Sequence, residues 1–297
     1  MQSTNRIKGF IFVIFGAFFW GIGGTVSQQL FQQHQIEVSW LVSTRLLIAG
    51  LLLLVVQAIF KDAKQIVSVW QVYPIRLIIY GIFGMLAVQY TYMASIAHGN
   101  AAVATLLQYL APIMIISWVV LRKQSPLTRV DIVTILLAVS GSFLLLTNGS
   151  ISSLTVTTPA VIWGILSAAT LAFYTLYAVP LLKKFDSLVV VGWAMIIGSI
   201  GMSFLHAPWQ VNTSSFTAET YMYLIIVIIF GTMLAFWFYI ESLQSLGAKE
   251  ASLLANIEPL TAVLATVFWL HTPFGTMQWI GSCLIFIMML LLAFKKK

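Results

Sequence analysis

Residues 77–126 read LIIYGIFGMLAVQYTYMASIAHGNAAVATLLQYLAPIMIISWVVLRKQSP, and residues 224–273 read LIIVIIFGTMLAFWFYIESLQSLGAKEASLLANIEPLTAVLATVFWLHTP. Placed over one another at an offset of 147, the two stretches agree at fifteen of fifty positions. The matches include Phe83-Gly84 with Phe230-Gly231, Tyr92 with Tyr239, Leu106-Leu107 with Leu253-Leu254, Pro112 with Pro259 and Pro126 with Pro273. Apolar chains match by chance more than most, but two prolines and a Phe-Gly pair in register go beyond shared greasiness. The chain reads as one unit written twice, 1–150 and 151–297.

The solvent of that unit follows from composition. Of 297 residues 60% are hydrophobic and only 8% are charged, and the mean hydropathy is +0.99. A soluble domain carries about a quarter charged residues because its surface must be hydrated. Here the surface must meet lipid. The formal charge of +7 does not form the clustered basic face that a nucleic-acid groove needs. Cys283 is the only cysteine, so no intrachain disulfide exists.

A membrane-spanning helix takes about 20 largely apolar residues. That rule marks ten segments, near 9–28, 38–60, 74–95, 101–121, 129–147, 160–182, 188–206, 221–243, 249–270 and 276–294. Short gaps with turn residues separate them. With a cytoplasmic N-terminus, the inner segments hold fourteen of the fifteen lysines and arginines, and the fifteenth, Arg45, lies inside span two. Cytoplasmic loops of membrane proteins are enriched in Lys and Arg. The expectation is an all-α membrane protein of ten transmembrane helices with both termini cytoplasmic. Five helices per half is an odd number, so the second half enters from the opposite face. Inverted repeats of this kind are typical of secondary transporters whose site lies at the repeat interface.

Helix-interior prolines remove a backbone hydrogen bond and crowd the carbonyl four residues back. Pro112 and Pro259, in the middle of spans four and nine, therefore mark kinks that free the carbonyls of Gln108 and Ala255. Groups freed at membrane depth need a protein or water partner, so both helices should face the bundle interior. Small residues at helical spacing, among them Ala104 and Ala111 on one helix and Ala248, Ser252 and Ala262 on the other, suit either close packing or a cavity wall.

Glu258 lies ~13 Å into span nine at 1.5 Å per residue, close to the midplane. An ionisable group at that depth is expensive and usually functional: it binds a substrate amine or carries a coupling proton, the alternative being a structural carboxyl bonded to a neighbouring helix. Arg45 lies ~10 Å below the outer boundary of span two. Either it shares a site with Glu258 across the two halves, or it snorkels to the headgroups on its long stem. Trp20, Tyr90, Gln108, Tyr109, Tyr174, Trp237, Tyr239 and Asn256 complete the cavity candidates, with Tyr90 and Trp237 equivalent in the repeat. Buried Tyr and Trp need hydrogen-bond partners, and their rings attract cations. No phosphate-binding loop or zinc motif occurs, the four histidines are too scattered for a metal, and no cofactor is expected.

Several of these stretches together resemble the EamA-type branch of the drug/metabolite transporter superfamily. They are Trp20-Gly21, Arg45 followed by Leu46-Leu47-Ile48-Ala49-Gly50, Leu107-Gln108-Tyr109-Leu110-Ala111-Pro112, and Ile257-Glu258-Pro259, which is similar to the family's Leu-Glu-Pro. The chain departs from the family at Arg122-Lys123 and Leu270-His271, where members often carry Gly-Glu. The resemblance implies a ten-helix plasma (inner) membrane exporter of small metabolites such as amino acids, working by alternating access. Spans three, four, eight and nine would line the cavity, spans one, two, six and seven would move, and protons exchanged at Glu258 would drive export. A passive channel or facilitator, and a membrane-embedded enzyme, are the alternatives. The enzyme lacks the clustered His, Asp or Ser groups that its chemistry would need near one interface.

Overall fold

The computed structural model describes residues 2–123, 126–150, 154–211, 213–242, 245–246 and 254–294. The expected start of span nine at 249–253, with Ala248 and Ser252, and the terminal lysines 295–297 lie outside them. The described residues are helical, without strands. We number the helices α1 (Gln2–Gln32), α2 (Val38–Phe60), α3 (Lys64–Val72), α4 (Pro74–His98), α5 (Ala101–Gln108), α6 (Ala111–Leu121) and α7 (Arg129–Thr147), then α8 (Thr158–Leu182), α9 (Ser187–Ser203), α10 (218–242), α11 (Ile257–Trp269) and α12 (Thr276–Phe294).

Seven of these segments are long and apolar enough to cross a membrane: Ile7–Gln32, Val38–Phe60, Pro74–His98, Ala101–Trp118, Arg129–Thr147, Thr158–Leu182 and Ala218–Tyr239. Ser187–Ser203, Ile257–Trp269 and Thr276–Leu291 are shorter apolar helices. Large apolar side chains such as Leu51, Phe83, Leu136 and Ile162 lie exposed on the outside of the bundle. That is the distribution expected where lipid is the solvent.

Helix starts follow local chemistry. Thr128 and Asp131 form a capping box at α7, and Thr217 and Thr220 form one at α10. Asn100 caps α5 by accepting from the Val103 amide, and Gln28 of α1 accepts from the Ala101 amide at 2.9 Å. The helix N-termini thus satisfy donors that would otherwise be orphaned.

Three helices depart from simple α geometry. π-helical stretches occupy Tyr80–Leu86 in α4 and Ile226–Leu234 in α10, with a third at Ala265–Trp269 in α11. The first two surround the Phe-Gly pairs that match in sequence. Single-turn π segments tend to occur at functional positions. Span four, expected as one kinked helix, is two helices divided at Tyr109-Leu110. The segment after span two, expected as a bare gap, holds α3.

The packing has an internal symmetry. α1 lies on α10 and α8 lies on α4, while α2 pairs with α9, α5 with α11, and α7 with α12. Exchanging each first-half helix for its second-half counterpart maps this set onto itself. Glycines permit the closest approaches. A Cβ on Gly23 of α1 would stand 2.7 Å from the Gly231 Cα of α10, so neither residue tolerates a side chain. Small-residue contacts of this sort let helix backbones approach where no hydrophobic force separates helix from lipid.

Candidate functional site

The two interrupted helices meet at their interruptions. Tyr109 (φ −69°, ψ 3°) ends α5, and Asn256 (φ −62°, ψ −5°) precedes α11. These residues are 147 apart and therefore equivalent in the repeat. Pro112 and Pro259 each lie in the first turn after the break, where a missing amide proton leaves no bond unmade. The prolines thus begin new helical segments and do not kink continuous ones.

Glu258 sits one residue before Pro259. The Tyr109 hydroxyl donates to Glu258 Oε2 at 3.2 Å, and the Ala255 carbonyl lies 3.5 Å from the same hydroxyl. One phenolic proton cannot serve both acceptors at once, and the shorter contact is the carboxylate. Ala255 carries the carbonyl that Pro259 was expected to free, and Tyr109 is the group that approaches it. Tyr109, Tyr239, Asn256 and Glu258 are only partly buried.

α1 packs against this cluster. A Cβ on Gly21 would come within 2.6 Å of the Glu258 carbonyl oxygen, so glycine there lets α1 press against the start of α11. Its neighbour Trp20 stands edge-on to Phe236 at 5.0 Å and tilts against Tyr239 at 5.3 Å. Gly24 admits the Tyr92 hydroxyl, which bonds Thr105 Oγ1 at 2.7 Å. The phenols of Tyr92, Tyr109 and Tyr239 all lie within electrostatic range of the Glu258 carboxylate.

Arg45 forms a second pole. It is 3% exposed, so it does not snorkel to the headgroups. Its guanidinium donates to Gln89 Oε1, while its Nε has no partner. Arg45 and Glu258 form no ion pair with one another; ion pairs elsewhere among the described residues join Lys61 with Asp186 and His206 with Glu37. Tyr92 lies within electrostatic range of both.

The fold therefore gathers Trp20, Tyr109, Tyr239, Asn256 and Glu258, with Tyr92 in electrostatic range of both Glu258 and Arg45. Other candidates lie elsewhere. Gln108 Nε2 donates to Ser167 Oγ at 2.6 Å, tying α5 to α8. Tyr174 stacks on Tyr80 at 4.9 Å, Tyr90 stands edge-on to Trp163 at 5.5 Å, and Trp237 stacks at 6.5 Å on the exposed Phe60. Tyr92 and Gln89 adjoin this cluster but were not singled out as site residues from sequence, whereas Thr105 is one of the small and polar residues at helical spacing on span four. The signal for Tyr92 was its identity with Tyr239 in the repeat. A separate cleft of about 460 Å³, lined by His98, Gly99, Asn100 and residues 154–157, shares no residue with this cluster. Among the described residues no three metal-binding side chains converge.

Comparison with known proteins gives the same architecture a lineage. The profile of the EamA-like transporter family matches residues 7–147 and again 158–294. An uncharacterized inner membrane transporter of Salmonella typhimurium, YicL, is 32% identical over 295 residues, covering 96% of this chain and 94% of that protein. An uncharacterized transporter of Bacillus subtilis, YwfM, is 27% identical over 290 residues, covering 95% and 93%. One crystal structure superposes with a TM-score of 0.62 at 16% identity, over 98% of this chain and 97% of the other, which shows a shared fold. This chain is a multi-pass membrane transporter and belongs to the EamA-like transporter family.

Proposed function

We propose that the chain is a secondary carrier that exports a small zwitterionic metabolite, an amino acid or a related compound, by alternating access. Its ten apolar helices are membrane spans, arranged as two inverted repeats at 1–150 and 151–297, with both termini cytoplasmic. The symmetric helix pairing, the matched π-helical stretches and the two matches to one family profile favour the repeat. The near-complete confinement of Lys and Arg to alternate gaps favours the orientation.

One observation carries the substrate reading. Two opposite charges lie inside the bundle on different halves, Arg45 and Glu258, and neither has an ionic partner. Unpaired charge at membrane depth is costly. A ligand carrying an ammonium for Glu258 and a carboxylate for Arg45 neutralises both and bridges the halves as it binds. The phenols around Glu258 add an aromatic wall for the ammonium. When the ligand leaves, a proton at Glu258 removes the exposed charge, and its exchange couples export to the proton gradient.

Flux in proteoliposomes under an imposed pH gradient tests the coupling. Wild type should respond to the gradient and Glu258→Gln should not; an equal response from both rejects Glu258 as the proton carrier. Comparing metabolites in cells that overexpress the chain with cells that lack it names cargo and direction. A passive channel would instead give bilayer currents far above carrier turnover. Reporter fusions that place the first and last residues on opposite faces would overturn the even helix count.

A further inference from the structure

At one end of the bundle, α3 and the turn between α8 and α9 interlock. Lys61 Nζ pairs with Asp186 at 3.1 Å, Gln65 Oε1 accepts from the Asp186 amide at 2.9 Å, and the Trp193 indole donates to the Ile66 carbonyl at 2.9 Å. This junction brings five basic residues, Lys61, Lys64, Arg76, Lys183 and Lys184, beside two acids, Asp62 and Asp186. Asp186 is taken by Lys61, and the Asp62 side chain accepts from the Lys64 backbone amide at 3.0 Å.

Arg76 and Lys184 have a different partner. Both stand against the ring of Tyr73, at 5.4 Å and 5.6 Å from its centroid. An aromatic face attracts cations but does not neutralise them. Arg76 and Lys184 form no ion pair with a described acid, so two like charges converge without a counter-ion. Exposed apolar side chains lie within a few residues of each in the chain, Ile75 and Ile78 on α4 and Val179 and Leu182 on α8. The arrangement is charged at the helix ends and greasy along the adjoining helix faces.

We propose that Arg76 and Lys184, gathered around Tyr73, bind the headgroup of an anionic phospholipid whose acyl chains lie along α4 and α8. The apolar strip favours a lipid over a soluble phosphate compound, which would leave that strip unused. The site does not depend on which face is cytoplasmic, because both leaflets carry phosphate. Since Arg76 on α4 and Lys184 in the α8–α9 turn are far apart in the chain, a bound headgroup also braces α4 against that turn.

The test uses purified full-length protein in detergent, with lipid retention read by native mass spectrometry and thermal stability read in parallel. The ligands are dioleoyl phosphatidylglycerol, dioleoyl phosphatidylcholine and inorganic phosphate. Phosphatidylglycerol should be retained and should raise Tm, and Arg76→Gln with Lys184→Gln should weaken retention roughly tenfold or more. Arg122→Gln, which removes a cation held over Trp118 in a different part of the chain, should leave retention unchanged and controls for general charge loss. Equal retention by the double variant, or an equal loss in Arg122→Gln, overturns the site. An equal Tm rise with phosphatidylcholine rejects the charge requirement, and one with millimolar inorganic phosphate rejects lipid as the source. If the double variant does not fold, Lys184→Gln alone, on an exposed turn, should still show a several-fold loss, and unchanged retention overturns the proposal.

Discussion

The Tyr109 hydroxyl reaches Glu258 Oε2 across 3.2 Å, joining the helix break of the first half to the first turn after the break in the second. A hydrogen bond to a charged group contributes about 1.5–3 kcal/mol. Tyr109→Phe keeps the ring and removes only the donor. Flux in proteoliposomes should fall by roughly tenfold or more, and Tm should fall by a few degrees as the bond is lost. Wild-type flux from Tyr109→Phe would remove this bond from the transport cycle.

Arg45 is buried with one side-chain acceptor and an unpartnered Nε. Replacing buried charge with an apolar side chain of similar length is often neutral or stabilising. Arg45→Met should therefore abolish transport while Tm holds or rises. Transport surviving in Arg45→Met would place the guanidinium outside the substrate site.

Gly23 and Gly231 touch backbone to backbone, with a built Cβ on Gly231 only 2.8 Å from the Gly23 Cα. Exchanging a helical glycine for alanine ordinarily gains up to about 1 kcal/mol. Here the added methyl meets main chain that cannot turn aside, and overpacking costs about 1–3 kcal/mol. Gly231→Ala should lower Tm by several degrees; a rise would mean that α1 and α10 are not this close.

Asp186 has two roles that substitution can separate. It caps α9 by accepting from the Leu188 amide at 3.0 Å, and it pairs with Lys61. Asp186→Asn keeps the cap and loses the charge pair, which is partly exposed and contributes at most about 1 kcal/mol. Asp186→Ala loses both, and a lost cap costs about 1 kcal/mol more. Thermal melts should rank wild type, Asn and Ala in falling order. Equal Tm values for the two variants would show that the cap contributes nothing.

Much of the fold was legible because lipid imposes a simple rule on sequence. Length and apolarity marked the seven helices long enough to span and the three shorter ones, and the prolines marked where new helical segments begin in spans four and nine. α3 escaped, because nine residues that are part polar and part apolar look like a loop until Trp193 and Asp186 hold them in place. The π-helical stretches escaped too, since one extra residue per turn leaves no compositional trace.

The site was legible only in part. Its residue types followed from depth, as with Glu258, but partnership did not. Tyr90 and Trp237 occupy equivalent positions in the repeat, yet their rings pack on Trp163 and Phe60. Tyr92, two residues from Tyr90, lies within electrostatic range of Arg45 and Glu258 instead. By itself the sequence determined the solvent and the helices, because hydropathy is a property of a linear string. Only the tertiary structure decided which buried side chains share a space, because contacts between residues 149 apart, such as Tyr109 and Glu258, depend on how helices rotate and cross.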